Sequence, residues 1–442
     1  MHVTRSRALA FALGIGSLAS CSNGPSQWND SDASVAQGDG GGGNASDGGP
    51  SPFADLGHLD SGIPNPCPAN QTLPALSGRV LAPNGQDPVA GALVYVPHGE
   101  PQALGKGNQC ELCKTPSSGV WAVARTDAEG RFTLRQTPVG EIKLVVQHGY
   151  FRRIATVTAS CGKDTVVPPE ATRLPRKRAE GDLPRIAVAT GIVDRMQDVL
   201  SKIGIEEFDL FDGKEGSSSG GTAMPKVSAI LSDPAKLAEY NIVLFNCRNG
   251  YEGSLQSGTW GKNLEAFVRS GGRLFVDDMA YEVVEWSFPL AVDFETGAAA
   301  ATGGTPQGPA NAAERGEYAA SLAANIPDPD LKRWLSQFPN TLRPDGTIPI
   351  TGWLSNWAVM HGAAAGTKVW VEGNVSFKGG SGARPLSVSF DADLGGGKKC
   401  GRVVYNSYHT VPYNSSPSAP FVPQERILEY LFFHLADCGS LR

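Results

Sequence analysis

The sequence of 442 residues lacks an apolar run long enough to cross a membrane. A transmembrane helix needs about 20 apolar residues, and the run from Ala8 to Ala19 is shorter. Positive charge is also scarce, because the formal net charge is -6 and the one basic cluster runs from Arg173 to Arg178. We therefore expect no membrane-spanning helix and, without a basic patch, no nucleic-acid partner.

Apolar side chains are nearly missing from residues 22–66, which are rich in Gly, Ser, Asp, Asn and Pro. Such a segment cannot bury enough surface to offset the entropy of ordering, so we predict a disordered tether. The rest of the chain, about 375 residues, is long enough for two or three domains. The chain as a whole has 40% hydrophobic and 19% charged residues, a balance typical of globular proteins.

The amino terminus has the layout of an export signal, with Arg5 and Arg7 before the apolar run and Cys21 after it. Leu-Ala-Ser-Cys at residues 18–21 resembles the lipobox of bacterial lipoproteins. The resemblance implies a signal peptide at residues 1–21 and an acylated Cys21 that binds membrane lipid. An ordinary signal with a chance cysteine is the alternative. Ser22, in place of an Asp that favours the inner membrane, indicates an outer-membrane lipoprotein on the periplasmic or surface face.

Six further cysteines are predicted to form structural disulfides, because disulfides persist outside the cytosol. The first four bracket one folded segment and leave three connectivities open. We expect the last two to pair, with Cys247 left over. The Cys-Glu-Leu-Cys sequence at residues 110–113 lacks both the setting of a redox motif and a second ligand pair for zinc. In chain order the six are Cys67, Cys110, Cys113, Cys161, Cys400 and Cys438.

Residues 67–175 contain short β-rich runs separated by turn residues, a pattern that predicts an antiparallel sandwich. Residues 88–94 and 126–132 resemble the carboxypeptidase regulatory-like domain, apart from the inserted loop at 99–119. The resemblance implies an Ig-like or transthyretin-like sandwich without catalytic residues of its own. The β-rich runs are Ser77–Leu81, Val89–Val96, Thr126–Leu134 and Ile142–Val146, with predicted turns at Asn84-Gly85 and Glu129-Gly130.

After a linker at 176–184, residues 185–442 alternate between strand and helix patterns, with an insertion at about 294–366. This alternation predicts a mostly parallel sheet covered by helices, a flavodoxin-like three-layer domain. The predicted strands are Ile186–Thr190, Glu207–Phe211, Asn241–Asn246, Arg273–Val276, Pro385–Phe390 and Gly401–Asn406. The predicted helices are Asp194–Ile203, Asn263–Ser270 and Pro423–Leu435.

Residues 240–247, 264–278 and 401–409 resemble the class I glutamine amidotransferase-like fold, and the last of these resembles its trehalose-utilisation-like branch. Catalytic members carry a Gly-x-Cys-x-Gly elbow, where this chain has Val-Asp-Asp-Met-Ala at residues 276–280. The His-x-Glu pair is also missing, since Gly and Ala follow His361 and Leu and Ala follow His434. The amidotransferase chemistry therefore does not carry over to this chain.

Two other chemical sites are open from the sequence. Cys247, His409 and Asp391 supply the thiol, base and orienting carboxylate of a catalytic triad. The alternative is that Cys247 is an inert core residue, because cysteine is often fully buried. Asp277 and Asp278, with Glu282, supply oxygen ligands for a hard cation, but adjacent acids after a strand are commonly caps. We predict no cofactor and no metal.

Tryptophans offer a binding surface instead. Trp353 and Trp357 stand four residues apart, and with other tryptophans they offer flat faces for a sugar or a partner protein. The alternative is core packing. The other tryptophans considered are Trp260, Trp286 and Trp334.

We therefore predict a multidomain, membrane-anchored, extracytoplasmic lipoprotein with a non-catalytic binding or structural role at the cell envelope. Its partner would be a glycan, a peptidoglycan component or an envelope protein. One alternative is an envelope hydrolase that uses Cys247 and His409 or an acidic metal site. Another is a protein whose sandwich mainly spaces or stabilises the second domain.

Overall fold

A computed structural model describes residues 65–110, 119–191, 193–213, 224–248, 251, 255, 258–294, 313–410 and 419–436. The predicted signal peptide and tether, with Cys21, Cys113 and Cys438, lie outside these residues. Among the described residues, no helix has the length and apolar character needed to cross a membrane. The protein is a mixed α/β protein with several β-sheets.

The first part of the chain forms two small sheets. An antiparallel sheet has the order β3-β2-β5-β6, and a second sheet has the order β4-β1-β7. Gly130 makes the turn before β4 with φ +73°, and a Cβ there would lie 2.6 Å from the Val80 carbonyl oxygen. The strands are β1 (Leu76–Arg79), β2 (Leu93–Pro97), β3 (Val120–Arg125), β4 (Arg131–Leu134), β5 (Gly140–His148), β6 (Phe151–Ala159) and β7 (Thr165–Val166).

A seven-stranded sheet forms the centre of the second part, in the order β16-β17-β18-β11-β10-β8-β9. The five strands from β18 to β9 are parallel to one another. The hairpin of β16 and β17 extends the sheet, with β17 antiparallel to β18. These strands are β8 (Ile186–Thr190), β9 (Asp209–Asp212), β10 (Ile242–Phe245), β11 (Arg273–Asp277), β16 (Lys368–Phe377), β17 (Gly380–Gly395) and β18 (Lys398–Asn406).

Two further small sheets lie within the predicted insertion and at its start. One pairs β12 (Val292–Asp293) with β15 (Gly362–Ala363), and the other pairs β13 (Ala319–Ala324) with β14 (Ile348–Trp353). The helices are α1 (Pro169–Thr172), α2 (Met196–Ile203), α3 (Ser228–Leu231), α4 (Pro234–Leu237), α5 (Trp260–Arg269), α6 (Glu282–Ser287), α7 (Pro329–Leu335) and α8 (Pro423–Ala436).

Alternate residues of the central strands point into two separate cores, as the two-residue period of a strand requires. On β10, Ile242 and Leu244 share a core with α2 and α8, whereas Val243 and Phe245 share a core with α5. The first core also contains buried residues of the two small sheets at the start of the chain. The α8 helix is therefore packed between the large sheet and the first part of the chain.

The predicted strands and helices of the central sheet are present with small shifts in their ends. The predicted helix at 263–270 begins three residues earlier, at Trp260, and the predicted strand at 385–390 is part of the longer β17. The sequence prediction missed β3, β6 and β7 in the first part. Polar residues interrupt the apolar pattern of β6, in which Ile154, Thr156 and Thr158 are exposed.

Two disulfides join distant segments and are consistent with an extracellular protein. Cys67 pairs with Cys161, with their Cα atoms 5.5 Å apart, and Cys110 pairs with Cys400 at 4.9 Å. The prediction that Cys400 pairs with Cys438 is therefore wrong, and so is the expectation that Cys110 pairs within the first four cysteines. The loop that ends at Cys110 packs against the turn before β11, where a Cβ on Gly271 would lie 2.7 Å from the Gln109 backbone. Cys400 is on the neighbouring β18 at the same edge of the sheet.

Candidate functional site

Four chemically active side chains meet at the carboxyl edge of the parallel strands. Four adjacent strands supply them: Asp194 follows β8, Cys247 follows β10, Asp278 follows β11 and His409 follows β18. Open α/β sheets bind ligands at this edge. We call these four residues the carboxyl-edge cluster. All four are at most 5% exposed.

His409 lies between two carboxylates of the cluster. Its Nδ1 is 3.3 Å from Asp194 Oδ2, and its Nε2 is 3.6 Å from Asp278 Oδ2. The other oxygen of Asp194 accepts hydrogen bonds from the backbone N–H of Thr410, at 2.7 Å, and from its hydroxyl. Burial by itself lowers the pKa of His409, but the contact with Asp194 and the charges of Asp278 and Asp277 together outweigh it and raise that pKa to about 9.

Cys247 donates a hydrogen bond from its thiol to Asp278 Oδ2, with Sγ and the oxygen 3.3 Å apart. Burial raises the pKa of Cys247 well above its ordinary value, and the negative charges of Asp278 and Asp194 raise it further. A hydrogen bond from the Met279 backbone opposes this shift but is smaller. The thiol is therefore protonated at neutral pH, in contrast to the thiolate that acts as a nucleophile.

Asp278 is held by an unusual backbone conformation. Its φ is +41°, a left-handed value that non-glycine residues rarely adopt. Asp278 Oδ1 accepts a hydrogen bond from the Ala358 backbone at 2.8 Å, and the Tyr405 hydroxyl donates to the Asp278 carbonyl at 3.0 Å. Such strain is concentrated at functional sites. Burial raises the pKa of Asp278 to about 6.

Asp277 is completely buried directly beside the cluster. Its Oδ1 accepts a hydrogen bond from Asn406 Nδ2 at 3.2 Å, whereas Oδ2 has no hydrogen-bond partner among the described residues. Burial raises the pKa of Asp277 well above its ordinary value, and the charge of Asp194 raises it further. Glu282, which the sequence grouped with Asp277 and Asp278, has a different partner. Its Oε2 accepts a hydrogen bond from the Tyr251 backbone N–H at 2.8 Å.

The structure brings Cys247 and His409 into one cluster but excludes Asp391 from it, so the predicted triad is wrong in its acid. Asp391 forms a two-pronged ion pair with Arg402, with Oδ1 2.6 Å from Nε and Oδ2 3.1 Å from Nη2. The reason is strand direction. Because β17 runs antiparallel to β18, Asp391 lies near Cys400, at the opposite edge of the sheet from His409.

The two tryptophans proposed as a binding surface are buried, so the expectation of exposed flat faces is wrong. Trp353 and Trp357 are 3% and 2% exposed, and their ring centroids are 4.6 Å apart. Trp357 donates its indole N–H to the Glu317 carbonyl at 3.0 Å. Core packing, the alternative reading of these residues, explains their placement.

Sequence reasoning missed Asp194, which replaces Asp391 beside His409. A signal for it is present, because Asp194 stands four residues after the apolar strand β8 and just before α2. Residues that directly follow parallel strands all lie at the carboxyl edge of the sheet, so an acid in such a place is a candidate for the same site. A survey of strand ends, rather than of motifs, would have included it.

No protein-family model and no curated protein matches the chain. Among solved structures, the cytoplasmic protein STM1381 from Salmonella typhimurium LT2 is similar, with a TM-score of 0.32 and 12% identity over 57% of this chain and 97% of its own. A type II cohesin–X-dockerin complex from Acetivibrio cellulolyticus has a TM-score of 0.16 and 13% identity over 29% of this chain and 71% of its own. At these scores, neither similarity establishes a shared fold or function.

Proposed function

We propose that this protein is an extracytoplasmic lipoprotein, anchored at the outer membrane through Cys21, with a non-catalytic binding role at the cell envelope. Its first part would be an Ig-like or transthyretin-like sandwich, and its second a flavodoxin-like, amidotransferase-like domain without amidotransferase activity. Because its side chains are buried, the carboxyl-edge cluster of the second part would bind a small ligand or ion and not the envelope partner directly. The two disulfides support an extracytoplasmic location.

One observation carries the non-catalytic role: the Cys247 thiol keeps its proton and donates a hydrogen bond to the Asp278 carboxylate, and within the described part of the chain no hydrogen bond joins the thiol to the His409 ring. A cysteine nucleophile needs a lowered pKa, produced by a helix amino terminus or a neighbouring cation. Here burial and two acids hold the pKa of Cys247 high. His409 is paired with Asp194 and Asp278, so its positive charge is already compensated.

The contact between His409 Nδ1 and Asp194 Oδ2 favours one alternative, an envelope hydrolase. A carboxylate on one imidazole nitrogen is the arrangement that orients a catalytic base. In a hydrolase of this kind, the other nitrogen would take the thiol proton. That nitrogen, Nε2, instead lies 3.6 Å from Asp278 Oδ2. The same oxygen accepts the hydrogen bond from the Cys247 thiol. We therefore prefer the binding role.

Alkylation of Cys247 distinguishes the two. The purified chain, with its disulfides intact, is treated with iodoacetamide at pH 7.5, and the Cys247 peptide is followed by mass spectrometry in folded and urea-unfolded protein. We expect the folded protein to react at least 10-fold more slowly, because the thiol is protonated and buried. Cys247→Ser identifies the peptide. Faster reaction in the folded protein would instead support a hydrolase.

The membrane anchor is tested separately. Cells that produce the wild-type chain or Cys21→Ala are labelled with a clickable palmitate analogue, and their membranes are fractionated. We expect label and outer-membrane location for the wild type, and loss of both for Cys21→Ala. The control is Cys247→Ser, which leaves the lipobox intact and should be labelled and located like the wild type. Retention of unlabelled Cys21→Ala at the membrane would contradict the lipoprotein assignment.

The envelope partner is sought in a separate experiment. Wild-type protein is used to pull down peptidoglycan, envelope glycans and envelope proteins.

A further inference from the structure

The carboxyl-edge cluster combines the ligand types of a transition-metal site. Each of Asp194, Cys247 and His409 offers one ligand atom, and these three atoms all lie within 4.8 Å of one another. We propose that these three residues bind one divalent cation of the zinc class. The inference rests on the proposed function, because it names the ligand of the same site.

The distances fit such an ion with small adjustments. Zinc bonds of 2.0–2.3 Å place neighbouring ligand atoms of a tetrahedral site roughly 3.3–3.8 Å apart. The Nδ1 of His409 and Oδ2 of Asp194 are already 3.3 Å apart. One ligand atom from each of the three residues lies within 4.8 Å of the other two, so the longest separation would have to shorten by at most about 1.0–1.5 Å. A three-residue set leaves a fourth position for water or another ligand.

The ligand chemistry selects the class of cation. Ca²⁺ and Mg²⁺ prefer sites made of oxygen atoms alone. A thiolate, an imidazole and a carboxylate together suit Zn²⁺ and related ions. On binding, the Cys247 thiol and the His409 imidazolium would each release one proton to solvent, so that the cation binds a thiolate and a neutral imidazole nitrogen.

Two carboxylates next to these ligands fit the same inference. If His409 binds the cation through Nδ1, its second nitrogen is Nε2. Asp278 Oδ2 lies 3.6 Å from this Nε2. Metal-binding histidines usually have a carboxylate or carbonyl at their second nitrogen, which orients the ring. The wholly buried Asp277 has Oδ2 without a hydrogen-bond partner among the described residues, and its charged neighbours are Asp194, His409 and Asp278.

The charge balance of the site also points to a cation. Asp194, Asp277 and Asp278 are all at most 2% exposed. Among the described residues, His409 is the one basic side chain that forms an ion pair with Asp194 or Asp278. Buried acids that outnumber their basic partners must either hold a proton or pair with a cation, and a divalent ion would meet this need for three acids beside one histidine.

The test uses the full purified chain after chelation, with all other cysteines kept and Co²⁺ as a spectroscopic probe. We expect one Co²⁺ per chain, a thiolate-to-cobalt absorption band, and displacement of Co²⁺ by Zn²⁺. Cys247→Ser should abolish the band and weaken Zn²⁺ binding at least 10-fold. His409→Gln should weaken binding similarly, and Asp278→Asn should weaken it by about 10- to 100-fold. The matched control is His98→Gln, because His98 is an exposed histidine outside the cluster.

Circular dichroism and intact-disulfide mapping check the fold of each variant. If Cys247→Ser does not fold, Asp194→Asn keeps the thiol and must still weaken binding at least 10-fold. A thiolate band that persists in folded Cys247→Ser, or no Co²⁺ or Zn²⁺ binding by the wild type, would overturn the cation site. Slow alkylation of Cys247 without metal binding rejects the cation alone. Fast alkylation in metal-free protein rejects the proposed function.

Discussion

Substitution of Asp391 tests whether this residue belongs to an ion pair with Arg402 and not to the carboxyl-edge cluster. Asp391 forms two hydrogen bonds to the Arg402 guanidinium, and the side chains are 6% and 2% exposed. Arg402 also donates to the carbonyl and ring of His434. Burial, and then the charge of Arg402, lower the pKa of His434 well below its ordinary value, so His434 is neutral and does not offset the charge of Arg402. Asp391→Ala therefore leaves a buried guanidinium without its carboxylate.

Removing one partner of a buried ion pair costs about 3–5 kcal/mol, because the remaining charge stays desolvated. We expect Asp391→Ala to lower the free energy of unfolding by this amount. The double variant Asp391→Leu/Arg402→Met should recover much of the loss, since both charges are then removed. The rate of Cys247 alkylation should stay within about 2-fold of the wild-type rate, because Asp391 lies at the other edge of the sheet.

Urea denaturation at pH 7, followed by tryptophan fluorescence with disulfides intact, measures the stability. Iodoacetamide labelling of the same preparations measures the thiol. A loss under about 1 kcal/mol, as at exposed positions, would refute the ion-pair assignment. A stable Asp391→Ala variant with altered Cys247 reactivity would restore Asp391 as part of the cluster.

Three other predictions follow from buried or partly buried contacts. Trp334 donates its indole N–H to the Pro88 carbonyl at 2.8 Å, whereas the indole N–H of Trp353 has no hydrogen-bond acceptor among the described residues. In urea denaturation, Trp334→Phe should therefore destabilise the protein by about 1–2 kcal/mol more than Trp353→Phe. Burial opposes ionisation of Glu180, but arginine contacts outweigh it and lower its pKa to about 2. Its stabilisation, up to about 1 kcal/mol, is complete above pH 4.5 and lost towards pH 2, so Glu180→Gln should lower the urea midpoint at pH 7 but not at pH 2. The Cys110–Cys400 disulfide closes a loop of 290 residues, and replacing both with Ser should cost about 2–5 kcal/mol in calorimetry.

Local pattern predicted the central strands well because their buried faces leave little choice. Residues 242–245 are apolar and partly β-branched, and β10 occupies Ile242–Phe245. Turn chemistry likewise located the turn at Gly130, which has positive φ. The strand β6 was missed because exposed polar positions interrupt its apolar pattern.

The composition of the site could be predicted only in part. Cys247 and His409 stand at strand ends, and parallel strands bring their carboxyl ends to one edge. The wrong acid was chosen because strand direction is not encoded locally: β17 is antiparallel, which reverses the edge at which Asp391 lies. Cys110–Cys400 was missed for a related reason, since the pair depends on how the first part packs against the sheet.

We propose that Asp194, Cys247 and His409 act together as one binding site. Anomalous diffraction at the zinc edge, from crystals of the full chain grown with Zn²⁺, would show whether they do. We expect one peak bonded to these three side chains at about 2.0–2.3 Å. Well-ordered density for the three residues without a peak, or a peak bonded elsewhere, would contradict it.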